Sequence, residues 1–333
     1  MLRLLIIVLT AATLWAGYWV VGSIGADRAM TSWLNDRRTD GWQADYSDLS
    51  VAGFPNRFDT TITDIALADP KTGWAWTAPF FQILTLSYKP NHLIAAWPNT
   101  QTLQTPLGRQ TIQSTQMQAS LVVDAGTRLP LNRTNFIAHD LVLTPDAGEP
   151  TAMKTLRAAI QRLDGTDTTY RFAITADEFA PGSDWRGLLD PKGALPKTLS
   201  ALSADLTVAF DAPWDLNALE SKRPQPTQIT VKLAEGTWGA LRLATAGDLA
   251  IDENGVPSGR ITIKARNWRD ILAMAVTSGT LSTGMAAQVE RGLSLLATMS
   301  GNPETLDIPL DMGGGFIRLG PIPIATSPVF KLR

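Results

Sequence analysis

Leu241-Arg242-Leu243-Ala244-Thr245-Ala246-Gly247-Asp248-Leu249-Ala250-Ile251-Asp252-Glu253-Asn254-Gly255-Val256-Pro257-Ser258-Gly259-Arg260-Ile261-Thr262-Ile263 is the stretch whose pattern decides the fold. Leu241, Leu243, Leu249, Ile251, Ile261 and Ile263 share one parity within their runs, and Asn254-Gly255 lies between those runs. Alternation of period two sends every second side chain to the same face of a strand. Asn-Gly tolerates the positive φ that a tight hairpin turn demands. The stretch therefore reads as an antiparallel hairpin with one apolar face.

Toward the C-terminus, two helical patterns follow, Trp268 to Val276 and Met285 to Met299. The second carries Met285, Val289, Leu293 and Leu296 at helical spacing, with Gly301 as its stop. Leu306 to Leu310 and Phe316 to Ile324 alternate again, joined by a Gly313-Gly314-Gly315 turn. Toward the N-terminus, Lys222-Arg223-Pro224-Gln225-Pro226 reads as a linker or wide loop. Tyr170 to Ala176 and Leu202 to Phe210 read as strands. Met153, Leu156, Ile160 and Leu163 have three- and four-residue spacing before Gly165, which predicts an amphipathic helix. Upstream of it, Ala44 to Val51, Arg57 to Leu67, Trp74 to Tyr88, Leu93 to Trp97, Thr102 to Leu107, Arg109 to Gln113 and Gln116 to Asp124 read as a meander. Gly53-Phe54-Pro55-Asn56 and Asp69-Pro70-Lys71-Thr72-Gly73 supply turns, and Pro79 marks an edge or bulge.

The chain starts differently. Leu4 to Ala26 holds no charged residue, and Arg3 stands before it. Twenty-three helical residues reach about 35 Å, against a hydrocarbon core of about 30 Å. Trp15, Tyr18 and Trp19 sit toward its outer end, as interfacial aromatics do. The run exceeds the 7–15 residues of a cleavable h-region, although a cut after Gly25 is conceivable. We expect a retained anchor over residues 1–26. A juxtamembrane helix over 27–41 carries Met30, Trp33 and Leu34 and stops at Gly41. A β-rich body over 42–333 follows, with two halves meeting near 150–225. Arg28, Arg37 and Arg38 lie beyond the span, but long domains cross largely regardless of charge, so the expected body faces outward.

Composition narrows the chemistry. The 333 residues carry a net charge of −2, which argues against a nucleic-acid partner. There is no cysteine, so disulfides, thiolate metal sites and cysteine nucleophiles are excluded. His92 and His139 are the two histidines, far apart and without metal-ligand spacing. His139-Asp140 alone does not make a triad, and no Gly-x-Ser-x-Gly elbow is present. Asp124, Asp140, Asp146 and Asp164 lack calcium-loop spacing. Gly313-Gly314-Gly315 lacks phosphate-loop spacing. Gly53-Phe54-Pro55 reads as a structural hairpin tip, with a membrane- or partner-contacting tip as the alternative. Trp74, Trp76, Phe80 and Phe81 read as core.

Gly53-Phe54-Pro55-Asn56-Arg57-Phe58-Asp59, then Ala78-Pro79-Phe80-Phe81 with Pro90-Asn91-His92, and the closing Gly315-Phe316-Ile317-Arg318-Leu319-Gly320-Pro321-Ile322-Pro323 resemble one bacterial family, domain of unknown function 2125. The resemblance spans nearly the whole chain and implies an envelope protein, with no functional residues to carry over. A weaker similarity is to AsmA-like envelope proteins, through an N-terminal span leading into strands and pieces such as Ile62-x-Asp64-Ile65-x-Leu67-x-Asp69. Those proteins are similar to lipid carriers with an apolar groove.

The expectation is thus a mainly β (β-rich α+β) protein: a transmembrane helix, then an extended, curved antiparallel sheet with a few packed helices. It is expected as a single-pass protein of the bacterial inner membrane, its body in the periplasm. No catalytic, cofactor-binding or metal residues are named, and no cofactor. Lipid acyl chains are the expected partner, on a sheet face that the helices leave open. A structural scaffold of an envelope complex, or a hydrolase with an unrecognised site, are the alternatives. Oligomeric state is left open.

Overall fold

A computed structural model describes residues 1–332 apart from 184–185, 188–189, 191–192, 194, 240, 278–281 and 300–304. The uncharged run and the segment after it form one uninterrupted helix, α1 (Leu2–Thr39). Gly41, at φ +91°, follows its end. The rest is mainly β: eighteen described strands in one antiparallel sheet, with three further described helices. The chain divides into two units, residues 1–123 with 136–147, and residues 124–135 with 148–333.

The first unit holds α1, β1 (Gln43–Asp45), β2 (Asp48–Ala52), β3 (Arg57–Asp69), β4 (Trp74–Leu86), β5 (Lys89–Ala96), β6 (Thr100–Thr105), β7 (Gly108–Gln113), β8 (Gln116–Val123) and the second half of β9 (Leu131–Pro145). It departs from the expected meander. β4 pairs with β5 through Gln82–Leu86 and with β6 through Ala75–Thr77, while β5 pairs with β8 and β7 with β9. Pro79 lies in the gap between the two partners, where its missing N–H costs no ladder bond.

Two long strands use the same hinge. Asp64 in β3 and Asp140 in β9 both have left-handed φ, +50° and +49°. The Ser47 N–H donates to the Thr63 carbonyl at 2.9 Å and its Oγ donates to Asp64 Oδ2 at 2.8 Å. Thr115 repeats this at His139 and Asp140, at 3.0 and 2.9 Å. In each case a hydroxyl residue separates two short strands, and the aspartate it bonds tolerates the turn in the long one.

α1 packs on this unit. Met30 joins Ile62, Ile65, Ala78, Tyr46, Leu49, Leu67, Trp76 and Phe81 in the core, and Leu34 is fully buried. At the other end Trp19 meets Phe54 and Phe58, Tyr18 meets Phe58, and Trp15 lies against Tyr18, with ring centroids 5.4 to 6.4 Å apart.

The second unit is a true meander. β10 (Thr151–Arg162), β11 (Thr169–Phe179), β12 (Leu199–Phe210), β13 (Pro226–Trp238), β14 (Leu241–Ile251), β15 (Pro257–Arg266), β16 (Thr305–Gly313), β17 (Phe316–Leu319) and β18 (Ile322–Thr326) each pair with the next. A short helix α2 (Leu216–Glu220) precedes β13. The pair α3 (Trp268–Thr277) and α4 (Thr283–Met299) lies between β15 and β16. Gly301, the expected stop of the second, lies outside the described residues, as does the Leu296 side chain.

One expected helix is a strand. Met153, Leu156, Ile160 and Leu163 satisfy a helical period, but Leu156, Ala158 and Ile160 also satisfy period two, opposite Ala176, Ile174 and Phe172 of β11. Pairing with that partner overrides the local pattern. Leu163 falls past the strand, and Gly165, at φ +77°, turns the chain rather than stopping a helix.

Candidate functional site

Directly opposed residues in an antiparallel sheet point to the same side, so the registers of the second unit fix which side chains share a face. Ala176, Leu202, Gly236, Leu243, Ala265 and Leu306 form one row across six strands. The next row is Ile174, Ala204, Ala234, Thr245, Ile263 and Ile308. Leu206, Val231, Gly247, Ile261 and Leu310 continue the pattern. This face is apolar from strand to strand.

Its two ends are covered. Trp268 and Ala297 pack on Ala265 and Leu306, with Leu272, Leu293 and Ile308 around them. Near the start of the meander, Tyr170, Val208 and Phe210 are closed over by Trp214 and Leu131. The Tyr170 hydroxyl donates to the Asp167 carbonyl at 3.2 Å and accepts the Trp214 N–H at 3.1 Å. Burial pushes that phenol above its ordinary pKa. Between the covered ends, Ile174 is 43% exposed, Leu202 39% and Leu243 43%. These three form an uncovered apolar strip in the middle of the face.

The opposite face is polar. Arg157–Asp177, Arg171–Asp205, Glu235–Arg242, Lys264–Asp307 and Arg260–Asp311 are cross-strand pairs at 2.6 to 3.7 Å. The Arg171 guanidinium grips Asp205 through two bonds and holds its carboxyl below the usual range. A depression of about 470 Å³ on this side is lined by Leu233, Glu235, Arg242, Lys264, Arg266 and Asp307, in which Glu235 pairs with Arg242 and Lys264 with Asp307. Nearby in sequence, Arg162 and Asn132 both donate to Asp124 and lower its pKa, Arg162 most strongly.

The residues singled out for chemistry do not assemble. His92 lies in β5 and His139 in β9, and Asp140 accepts from Thr115. Among the described residues no group of three or more His, Cys, Asp or Glu could hold a metal. Gly314 and Gly315, at φ +61° and +80°, turn β16 into β17. Trp76 and Phe81 meet edge to face in the first core, with Phe80 half-buried, whereas Trp74 is exposed. The open strip is legible only in part: Leu243 alternates with its neighbours in the sequence, but its exposure depends on where α3 and α4 land.

α1 is the one described helix long and apolar enough to cross a membrane, which fits a single-pass membrane protein. Residues 19–328 match the model of a family described as an uncharacterised protein conserved in bacteria, DUF2125. No curated protein matches, and the likeness to AsmA-like proteins gains no support.

Proposed function

Since the chain belongs to the bacterial family DUF2125, whose description names no activity, we propose its function from its own surfaces. It is a non-catalytic envelope protein: α1 tethers it to the inner membrane, the body stands in the periplasm, and the strip at Ile174, Leu202 and Leu243 takes lipid acyl chains. The carrying observation is that strip, a run of half-exposed aliphatic side chains on a face whose two ends are covered. Uncovered aliphatic surface lowers its free energy by about 25 cal/mol per Å² when an apolar ligand covers it. Tethering beside a bilayer supplies such a ligand at high local concentration. The mutual pairing of Arg171 with Asp205, Arg242 with Glu235 and Lys264 with Asp307 on the polar face supports a passive binder over an enzyme.

A photoreactive amino acid placed at Leu202 or Leu243 tests this in cells, with Arg242 on the opposite face as control. Lipid adducts at 202 and 243 and none at 242 are expected. Protein adducts alone at the strip would replace lipid binding by scaffolding. For orientation, alkaline phosphatase fused behind the body is expected to be active, and an inactive fusion would put the body in the cytoplasm.

A further inference from the structure

We infer that the end of the first unit's sheet formed by the β2–β3 and β4–β5 tips is seated in the interfacial layer of the bilayer. The inference rests on the proposal that α1 crosses that bilayer. It begins with lengths. A span needs roughly 20 residues. Between Arg3 and Trp15 the uncharged run offers Leu4 to Leu14, too short to span alone, so the helix leaves the hydrocarbon within the stretch Trp15 to Ser23. Those same residues are already docked on the body.

The docking is specific. The Trp15 indole N–H donates to the Pro55 carbonyl at 2.9 Å, the Tyr18 hydroxyl to the Ser87 carbonyl at 2.5 Å, and the Trp19 indole to the Arg57 carbonyl at 2.6 Å. Gly22 lies against the Phe58 ring so closely that an added Cβ would fall 2.3 Å from it. The β2–β3 tip, Gly53 to Asn56, and the β4–β5 tip, Ser87-Tyr88, lie side by side, since the Ser87 N–H donates to the Asn56 carbonyl at 2.8 Å. Helix and tips therefore reach the bilayer together.

The chemistry of the tips suits that place. Backbone carbonyls in a water-poor layer need partners, and three at this end have them from the helix's own aromatic donors. Phe54 is 59% exposed and Tyr88 57%. Together with Trp15, Tyr18 and Trp19 they make an aromatic cluster around one stretch of the helix. Lys89 flanks them, with a stem long enough to place its charge among lipid phosphates, and Arg57 flanks them too, its Nε paired with Asp59 at 3.0 Å. The other end of the unit differs: there Lys71 Nζ donates to the Asp40 carbonyl, beside the β3–β4 turn.

Because the chain has no cysteine, single-cysteine nitroxide labelling of the full protein is clean. Val8→Cys, Phe54→Cys, Tyr88→Cys and Leu107→Cys would be reconstituted in phosphatidylethanolamine–phosphatidylglycerol vesicles. Leu107 lies in the β6–β7 turn, whose Pro106 approaches Gly73 at the far end. Collision with oxygen and with a water-soluble nickel chelate gives depth. Positions 54 and 88 are expected to show a several-fold lower nickel-to-oxygen ratio than 107. Position 8 in hydrocarbon with 54 and 88 as nickel-accessible as 107 would overturn the seating and leave the tether standing. Position 8 in water would overturn both. Tyr88 is more than half exposed and Phe54, not Tyr88, pairs with the Trp19 ring, so position 88 keeps the test open if Phe54→Cys disturbs packing.

Discussion

Replacing Gly22 with alanine should weaken the protein where the same change at Gly17 should not. Both glycines lie in α1, and in each the change to Ala favours helix by about 1 kcal/mol. Gly17 has nothing within 4 Å of the new Cβ, so this gain stands alone. At Gly22 the new atom would sit 2.3 Å from Phe58 Cζ. The Phe58 ring is nearly buried between Tyr18 and Trp19, with centroids 6.4 and 6.2 Å away, so it cannot simply swing aside. Overpacking of this kind costs about 1–3 kcal/mol. The difference between the two variants cancels the shared propensity and isolates the clash, again about 1–3 kcal/mol. Thermal unfolding of the full chain in one detergent, followed by near-ultraviolet circular dichroism of the tryptophans, reads it at roughly 2–4 °C per kcal/mol. If Gly22→Ala melts with or above Gly17→Ala, the helix does not pack on Phe58, and the seating of the tips loses its basis.

Leu243→Asp should cost about 1 kcal/mol and abolish any lipid adduct at the strip, whereas Leu249→Asp, on the same face but 2% exposed, should cost several; equal costs in urea titrations would mean the strip is closed. Asp124, its pKa lowered chiefly by Arg162, adds stability that is complete above the ordinary carboxylate value of about 3.9 and is lost as pH falls through its depressed folded value. The gap in unfolding midpoint between the parent and Asp124→Asn should therefore narrow on acidification, and a gap that widens there would contradict the sign. Asp64→Val puts a β-branched residue at φ +50° and removes the Ser47 bond, which should cost about 2–4 kcal/mol in thermal melts, while Asp64→Gly should lose only the bond, about 1 kcal/mol; equal losses would show that the hinge carries no backbone strain.

Legibility followed the range of the interactions. The Asn254-Gly255 hairpin was readable because turn chemistry and parity are local, and β14 and β15 pair as the alternation requires. α1 was readable because twenty-three uncharged residues leave few alternatives. Met153 to Leu163 misled because four apolar residues fit two periods, and only the neighbour β11 selects one. β9, with Asn132, Arg133, Asn135, His139 and Asp140 among its residues, and β13, with Lys232 and Glu235, went unread because their polar side chains hide the alternation. The split of β4 between β5 and β6 was marked only by Pro79, which names an irregularity without naming its partners. The docked face of α1 was missed for a similar reason: Gly22 looks like an ordinary small residue until Phe58, thirty-six positions later, is placed against it.

The order of strands in the second unit also bears on how that unit comes to be folded. From β10 to β18 every partner is the next strand in the chain, so each closure spans only the connection between neighbours, the longest being the one that holds α3 and α4. Loop-closure entropy is then met in small instalments, and the structure can grow like a zipper in the order in which residues become available. The first unit has no such route. β5 must wait for β8, and β7 for β9, before either branch is complete. Its assembly is the slow step expected of non-local pairings, whereas the second unit is the part able to close strand by strand.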